Sequence, residues 1–178
     1  ISTELLQIDE YDTFHDKGHK DNTAPPNGYK KIRVHLVFDV KHDGHHKARL
    51  VADGHLTDVP VDSVYSGVVS LCGIRLIIFL AELNGMETWA PDVGNAYLEA
   101  KTSERIYIIA GPEFGDRKDH ILVINKALYG LRSSGKMWAQ RFSDCLREMG
   151  VVPSKAEPEI WMRRCGDLWE YIATYVDN

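Results

Sequence analysis

Residues 31–53 constrain the fold more than any other stretch. Ile32, Val34, Leu36, Phe38 and Val40 alternate with Lys31, Arg33, His35, Val37, Asp39 and Lys41. A side-chain period of two over this length is a strand with one apolar face. His42-Asp43-Gly44-His45 follows, and Asp-Gly supplies the positive φ that a tight hairpin needs. The return strand runs from Lys47 to Asp53. It puts Ala48, Leu50 and Ala52 on one face and Lys47 and Arg49 on the other. That basic face is either the solvent side of a hairpin or a ribbon that meets phosphates. His42, His45 and His46 crowd the turn. Without a cysteine pair or a second group at ligand spacing, they read as a solvated turn rather than a zinc site.

The rest of the chain alternates strands and helices. Residues 2–14 predict a short acidic helix with Leu5, Leu6, Ile8 and Phe14 as contacts, and 15–29 a loop marked by Gly18, Pro25, Pro26 and Gly28. Residues 54–69 read as a second loop. Ser70 caps a helix that runs to about Asn84, with Gly85 as its stop. This helix is apolar nearly all round, which predicts a central, buried element. A strand is expected from Met86 to Asp92, broken by Gly94. Further strands are expected at Arg105 to Ile109 and Ile121 to Asn125. Ser133 or Ser134 opens a helix whose Trp138, Phe142, Cys145, Leu146 and Met149 fall at helical spacing, and Gly150 ends it. Ile160 to Arg164 then pairs with Leu168 to Asp177 across Cys165-Gly166-Asp167. The pattern predicts an α+β fold: an antiparallel sheet with helices on one face, plus a smaller N-terminal lobe built on the basic hairpin.

Composition narrows the function. With 44% hydrophobic and 26% charged residues over 178 positions, the chain is of the globular class and long enough for a core. The net charge of −5 excludes a uniformly basic nucleic-acid binder. The charge is segmented, however. Residues 30–49 carry six bases against two acids, and 126–164 carry eight against four. Between them, residues 50–125 carry eleven acids against five bases. Two basic segments flanking an acidic centre suit metal and phosphate chemistry. Cys72, Cys145 and Cys165 are scattered and odd in number, the usage of packed, reduced thiols in an intracellular protein. The apolar run Ile74 to Leu83 is too short to cross a membrane, which takes about 20 residues. The opening Ile1 suggests a segment of a longer chain. Neither GxGxxG nor a Walker pattern occurs.

Two carboxylates carry the chemistry. Asp92 lies in Trp89-Ala90-Pro91-Asp92-Val93-Gly94-Asn95-Ala96-Tyr97-Leu98, and Asp177 in Tyr171-Ile172-Ala173-Thr174-Tyr175-Val176-Asp177-Asn178. Each is expected at a strand end. Brought together, they would form a hard oxygen site for a divalent cation. Paired ions in such a site serve phosphoryl transfer.

Taken with Lys126-Ala127-Leu128-Tyr129-Gly130-Leu131 and Lys47-Ala48-Arg49-Leu50-Val51-Ala52, these stretches resemble the reverse transcriptase of Ty1/copia-type LTR retrotransposons. Ser154-Lys155-Ala156-Glu157-Pro158 and the Trp161 strand extend the resemblance. It implies a polymerase palm over about 86–178, with intervening fingers elements. The N-terminal region and the fingers hairpin would occupy about 1–85. It implies that Asp92, the backbone at Val93 and Asp177 hold Mg²⁺ or Mn²⁺. Tyr97 would be the aromatic gate against a ribose 2′-hydroxyl, with Val93 near the triphosphate. Lys47 and Arg49 would reach the triphosphate from the fingers, and Ser133 would lie near nucleotide and template. The implied partners are an RNA or DNA template with its primer, deoxynucleoside triphosphates and the remainder of a retrotransposon polyprotein, without a membrane. The implied setting is a cytoplasmic virus-like particle.

Two departures stand out. Asn178 takes the place of the family's second aspartate, and Ser133 lies where many relatives carry a Gln. Asn178 keeps an oxygen ligand and loses a charge, so a partial or degenerate copy with weak or no activity is expected. The alternative is a non-catalytic nucleic-acid-binding fragment or an inert relic of the element.

Overall fold

The computed structural model describes residues 2–57 and 66–175. The chain is mixed α and β, and it divides into two compact units. The first comprises residues 1–64 and 95–138, the second 65–94 and 139–178.

The first unit opens with helix α1 (Ser2–Glu10). Strand β1 (Phe14–His19) follows, then the two-residue β2 (Lys30–Lys31). The expected helix therefore stops short of Phe14. Asp12 turns the chain in the left-handed region at φ 52°, and Thr13 is buried. The expected loop over 15–29 likewise begins as a strand. No apolar alternation announces β1, because its backbone is held by a neighbour: Phe14 pairs with Ile124 of β6 (His120–Ile124). In the sheet, β1 lies beside β6, β6 beside β5 (Ile106–Ile109), and β5 beside β2. Only the β5/β2 pair is parallel.

Alternation explains the core of this sheet. Ile106 and Ile108 of β5 and Leu122 and Ile124 of β6 join the main cluster with Ile8, Leu50 and Leu128. Tyr107, Ile121 and Val123 turn the other way and pack with Tyr29. The basic hairpin forms as predicted. Strands β3 (Val34–Val40) and β4 (His46–Ala52) pair antiparallel from Val34↔Ala52 to Val40↔His46, with Gly44 at φ 81° in the turn. Leu50 and Ala52 are buried. Helix α1 reaches this hairpin, where the Glu4 carboxylate accepts the Leu50 N–H at 3.0 Å. The short helix α3 (Ala96–Glu99) also belongs to this unit.

The second unit contains helix α2 (Leu71–Leu83) and a sheet of β7 (Val152–Pro153), β8 (Ile160–Cys165) and β9 (Leu168–Ala173). Helix α4 (Ser134–Glu148) begins in the first unit and belongs to the second from Ala139 onward. The predicted cap holds, since the Ser70 hydroxyl accepts the Gly73 N–H at 2.9 Å. Gly85, at φ 60°, follows the C-cap Asn84. The β8–β9 hairpin turns at Gly166-Asp167, with Cys165 opposite Leu168. Leu146, Val151 and Trp161 form this unit's core with Phe142 and Ile172, and the Arg147 guanidinium lies 5.3 Å from the Trp161 ring centre.

Two expectations fail here. Helix α2 packs against β9 through a narrow side on which only Gly73 and Ala81 are buried. Phe79 is 61% exposed and Leu83 69%, so α2 is not the buried central helix that its composition predicts. The strand from Met86 to Asp92 does not form; residues 86–93 have no regular secondary structure and Trp89 is 81% exposed. A strand needs a ladder partner as well as β-formers, and Pro91 has no N–H to give. Cys72 and Cys165, expected as packing residues, are exposed.

Candidate functional site

The best-defined part of the candidate site lies at the end of β4. Gly130 adopts φ 89°, a conformation that L side chains rarely take. This bend lets the Tyr129 carbonyl accept the Ala52 N–H at 2.7 Å. A Cβ on Gly130 would press into the Ala52 carbonyl oxygen, and one on Gly54 would press into the Gly130 carbonyl. Arg132 closes the contact, donating from Nε to the Gly54 carbonyl at 3.0 Å. The Tyr129-Gly130-Leu131 turn is thus docked onto the return strand that carries Lys47 and Arg49.

Tyr129 links two predicted site residues. Its ring centre lies 4.9 Å from that of Tyr97, and the Arg49 guanidinium carbon lies 5.8 Å from it on the other hand. Arg49 Nε is buried and makes no hydrogen bond. Tyr97 is held by its helix. Asn95 takes the left-handed region at φ 53°, which Asn tolerates better than most residues. Its carbonyl then accepts the Leu98 N–H at 2.8 Å. Tyr97 itself is only 8% exposed. Tyr11 braces α3 through side-chain hydrogen bonds with Glu99 and Asn95; burial first, and then Glu99, push its phenol pKa up.

Ser133 is buried at the start of α4. Its N–H and hydroxyl both donate to Glu104 Oε1, at 3.1 and 2.7 Å. The neighbouring Ser134 hydroxyl donates to the Leu128 carbonyl at 2.6 Å. Lys47 is half-buried on β4, opposite Asp39.

Asp92 and Val93 belong to the second unit, and both are exposed. The Asp92 carboxylate makes no hydrogen bond or ion pair among the described residues. Asp177 and Asn178 lie outside the described residues. Among the described residues, no group of three or more His, Cys, Asp and Glu side chains is placed to hold a metal. The structure therefore brings Arg49 and Tyr97 to one aromatic ring and ties Ser133 to Glu104. Tyr129 and Glu104 escaped sequence reasoning. Tyr129 stood in a quoted motif, but nothing in that motif says its ring bridges two others. Glu104 had no local signal at all, because its partner lies 29 positions away.

Comparison with known proteins identifies the family. Residues 21–178 match the family model described as reverse transcriptase (RNA-dependent DNA polymerase). Similar proteins include the retrovirus-related Pol polyprotein from transposon TNT 1-94 of Nicotiana tabacum and those from transposons RE1 and RE2 of Arabidopsis thaliana. Each is 28% identical over an alignment of 163 positions that covers 86% of this chain. The chain spans 12% of the first relative's length and 11% of the other two. No solved structure matches it. No described helix is long and apolar enough to cross a membrane. With the family model covering most of its length, the chain belongs to the reverse transcriptase (RNA-dependent DNA polymerase) family and resembles the Pol polyproteins of Ty1/copia-type transposons.

Proposed function

We propose that this chain is the fingers and palm part of an RNA-directed DNA polymerase. It extends a primer on an RNA or DNA template with deoxynucleoside triphosphates. One observation carries the reading: the family match over 21–178 spans every residue to which the resemblance gives a role, from Lys47 to Asn178. On this reading the hairpin is the fingers lobe, and the parent protein is a retrotransposon polyprotein acting within a particle.

Asp92, Asp177 and the Val93 carbonyl would hold Mg²⁺ or Mn²⁺. The donor set fits, since hard cations prefer carboxylate and carbonyl oxygen, and Asp92 has no competing partner among the described residues. Bound there, the ions supply charge neutralisation for an in-line displacement at phosphorus. The chain's own residues position the reactants. Lys47 and Arg49 steady the triphosphate, and the Tyr129 ring keeps Arg49 and Tyr97 in register. Tyr97, held rigid, rejects a 2′-hydroxyl by contact. Ser133 presents the start of α4 to nucleotide and template.

Asn178 favours a second reading. A neutral amide binds a divalent cation more weakly than a carboxylate, so the chain binds nucleic acid and turns over slowly or not at all. Two measurements decide. Titration with Mn²⁺ followed by water-proton relaxation should show Asp92→Ala binding at least about tenfold more weakly, since loss of even an outer-shell partner typically costs that much. Asn178→Asp should bind more tightly. Primer extension on an RNA template should be abolished by Asp92→Ala and raised by Asn178→Asp. Unchanged Mn²⁺ affinity in Asp92→Ala would overturn the metal assignment.

A further inference from the structure

The first unit contains a cavity of about 570 Å³ away from the Tyr129 contact. Lys101, Arg105 and Lys126 line it together with Tyr29, Asn125 and Glu104. Lys101 and Lys126 face each other across an antiparallel bridge. The bridge is fixed by backbone bonds, with the Thr102 N–H on the Asn125 carbonyl at 3.0 Å and the Ala127 N–H on the Ala100 carbonyl at 2.9 Å. Like charges directly opposite on paired strands are destabilising. None of the three cations makes an ion pair among the described residues. The two acids of the lining, Asp12 and Glu104, form no ion pair with them and leave the basic groups in excess. Glu104 gives Oε1 to Ser133 and keeps Oε2 buried without a partner, while Asp12 on the cavity wall is exposed and unpaired among the described residues. Three unpaired cations held around one hollow lower their mutual repulsion when an anion enters it.

We propose that this cavity holds the phosphodiester backbone of a single-stranded nucleic acid, with Lys101, Arg105 and Lys126 at the phosphates. The inference deepens the polymerase reading and rests on it. Tyr29 gives the site an aromatic wall. Its inner side packs on Tyr107, Ile121 and Val123, which fixes the ring for a base to stack against. Thr102 and Ser103 add hydroxyls at the rim. The volume falls in the range of about 300–1,000 Å³ that suits a nucleotide-sized group. A strand fits better than a free nucleotide. Lys101, Arg105 and Lys126 are spread over two paired segments beside Tyr29, and a strand offers them successive phosphates with a base to stack.

The test needs no catalysis and no metal. Fluorescence anisotropy of a labelled oligothymidylate is measured in EDTA from about 50 to 200 mM salt, the range over which counterion release is resolved. Lys101→Gln/Lys126→Gln should weaken binding and flatten the slope of log K against log salt by about 1.4, at about 0.7 per phosphate contact on a single strand. Arg105→Gln alone should flatten it by about 0.7, which keeps the test open should the double variant misfold. Lys17→Gln/Lys118→Gln removes the same charge from exposed positions outside the cavity and should leave the slope nearly unchanged. Equal slope changes in the two double variants would overturn the proposal, as would absence of binding by the unaltered chain. Displacement of the oligonucleotide by millimolar deoxynucleoside triphosphate would reassign the cavity to a free nucleotide. The polymerase reading falls instead on the Mn²⁺ titration of Asp92→Ala, so the two failures are separable.

Discussion

At the scale of single residues, the candidate site depends on a backbone bend. Gly130 holds φ 89° with its α-carbon against the Ala52 carbonyl. Gly130→Ala adds strain of about 1–3 kcal/mol for the disfavoured φ and a similar amount for overpacking. The total loss should be about 2–6 kcal/mol, read by urea denaturation. A change below about 0.5 kcal/mol, within ordinary surface scatter, would mean the turn is not docked. The Ser133–Glu104 pair makes a second case. Ser133→Ala removes the 2.7 Å donor to a carboxylate whose other oxygen is already unpartnered, and it should cost about 1–3 kcal/mol. Tyr97 and Arg49 each stand in a motif of the sequence. Their meeting at Tyr129 was not legible there, since the motifs lie far apart in the chain and only the fold joins them.

Elements were legible where the local pattern is sufficient and illegible where it is not. The β3–β4 hairpin needs only alternation and Asp43-Gly44, and it forms with its turn at the expected residues. Helix α2 needs only Ser70 and Gly85 for its ends, and it has them. Its burial is another matter. Apolar residues all round a helix say how much surface seeks cover, not what covers it, and Leu76, Ile78, Phe79 and Leu83 remain exposed. Strand β1 errs in the opposite direction. Phe14–His19 is polar because it is an edge strand, and its existence follows from β6. The α2 cap gives the test at this scale. Ser70→Ala loses the 2.9 Å bond to the Gly73 N–H and a hydroxyl contact with Glu157 at 3.0 Å. It should cost about 1 kcal/mol. Hydrogen exchange should quicken at the first-turn amides of α2 while those of β5 and β6 stay protected. Uniform loss of protection would refute a local cap.

For the molecule as a whole, the acid limb of stability is the informative measurement. The first unit's sheet is laced at its edge by polar contacts, among them the hydrogen bond of Asp16 of β1 with His120 of β6 at 2.9 Å. Partial burial pushes the Asp16 carboxyl pKa up, but the Gly18 N–H at 2.7 Å and the His120 side chain outweigh it and hold the value below the ordinary one. A carboxyl depressed on folding binds its proton more readily in the unfolded chain. Its stabilisation is therefore complete above the ordinary carboxylate pKa of about 3.9 and is lost as pH falls through the depressed folded value. Asp16→Asn should thus be less stable than the unaltered chain at neutral pH. The difference should close on acidification, when both side chains are neutral. Asp16 is about one-third exposed at its side chain, so solvent screening holds the neutral-pH difference to under about 1 kcal/mol. Urea midpoints at several pH values from neutral to about 2 would trace it. A difference that persists undiminished at the acid end would show that Asp16 stabilises the β1–β6 edge by packing or amide-like hydrogen bonding, and that its charge contributes nothing.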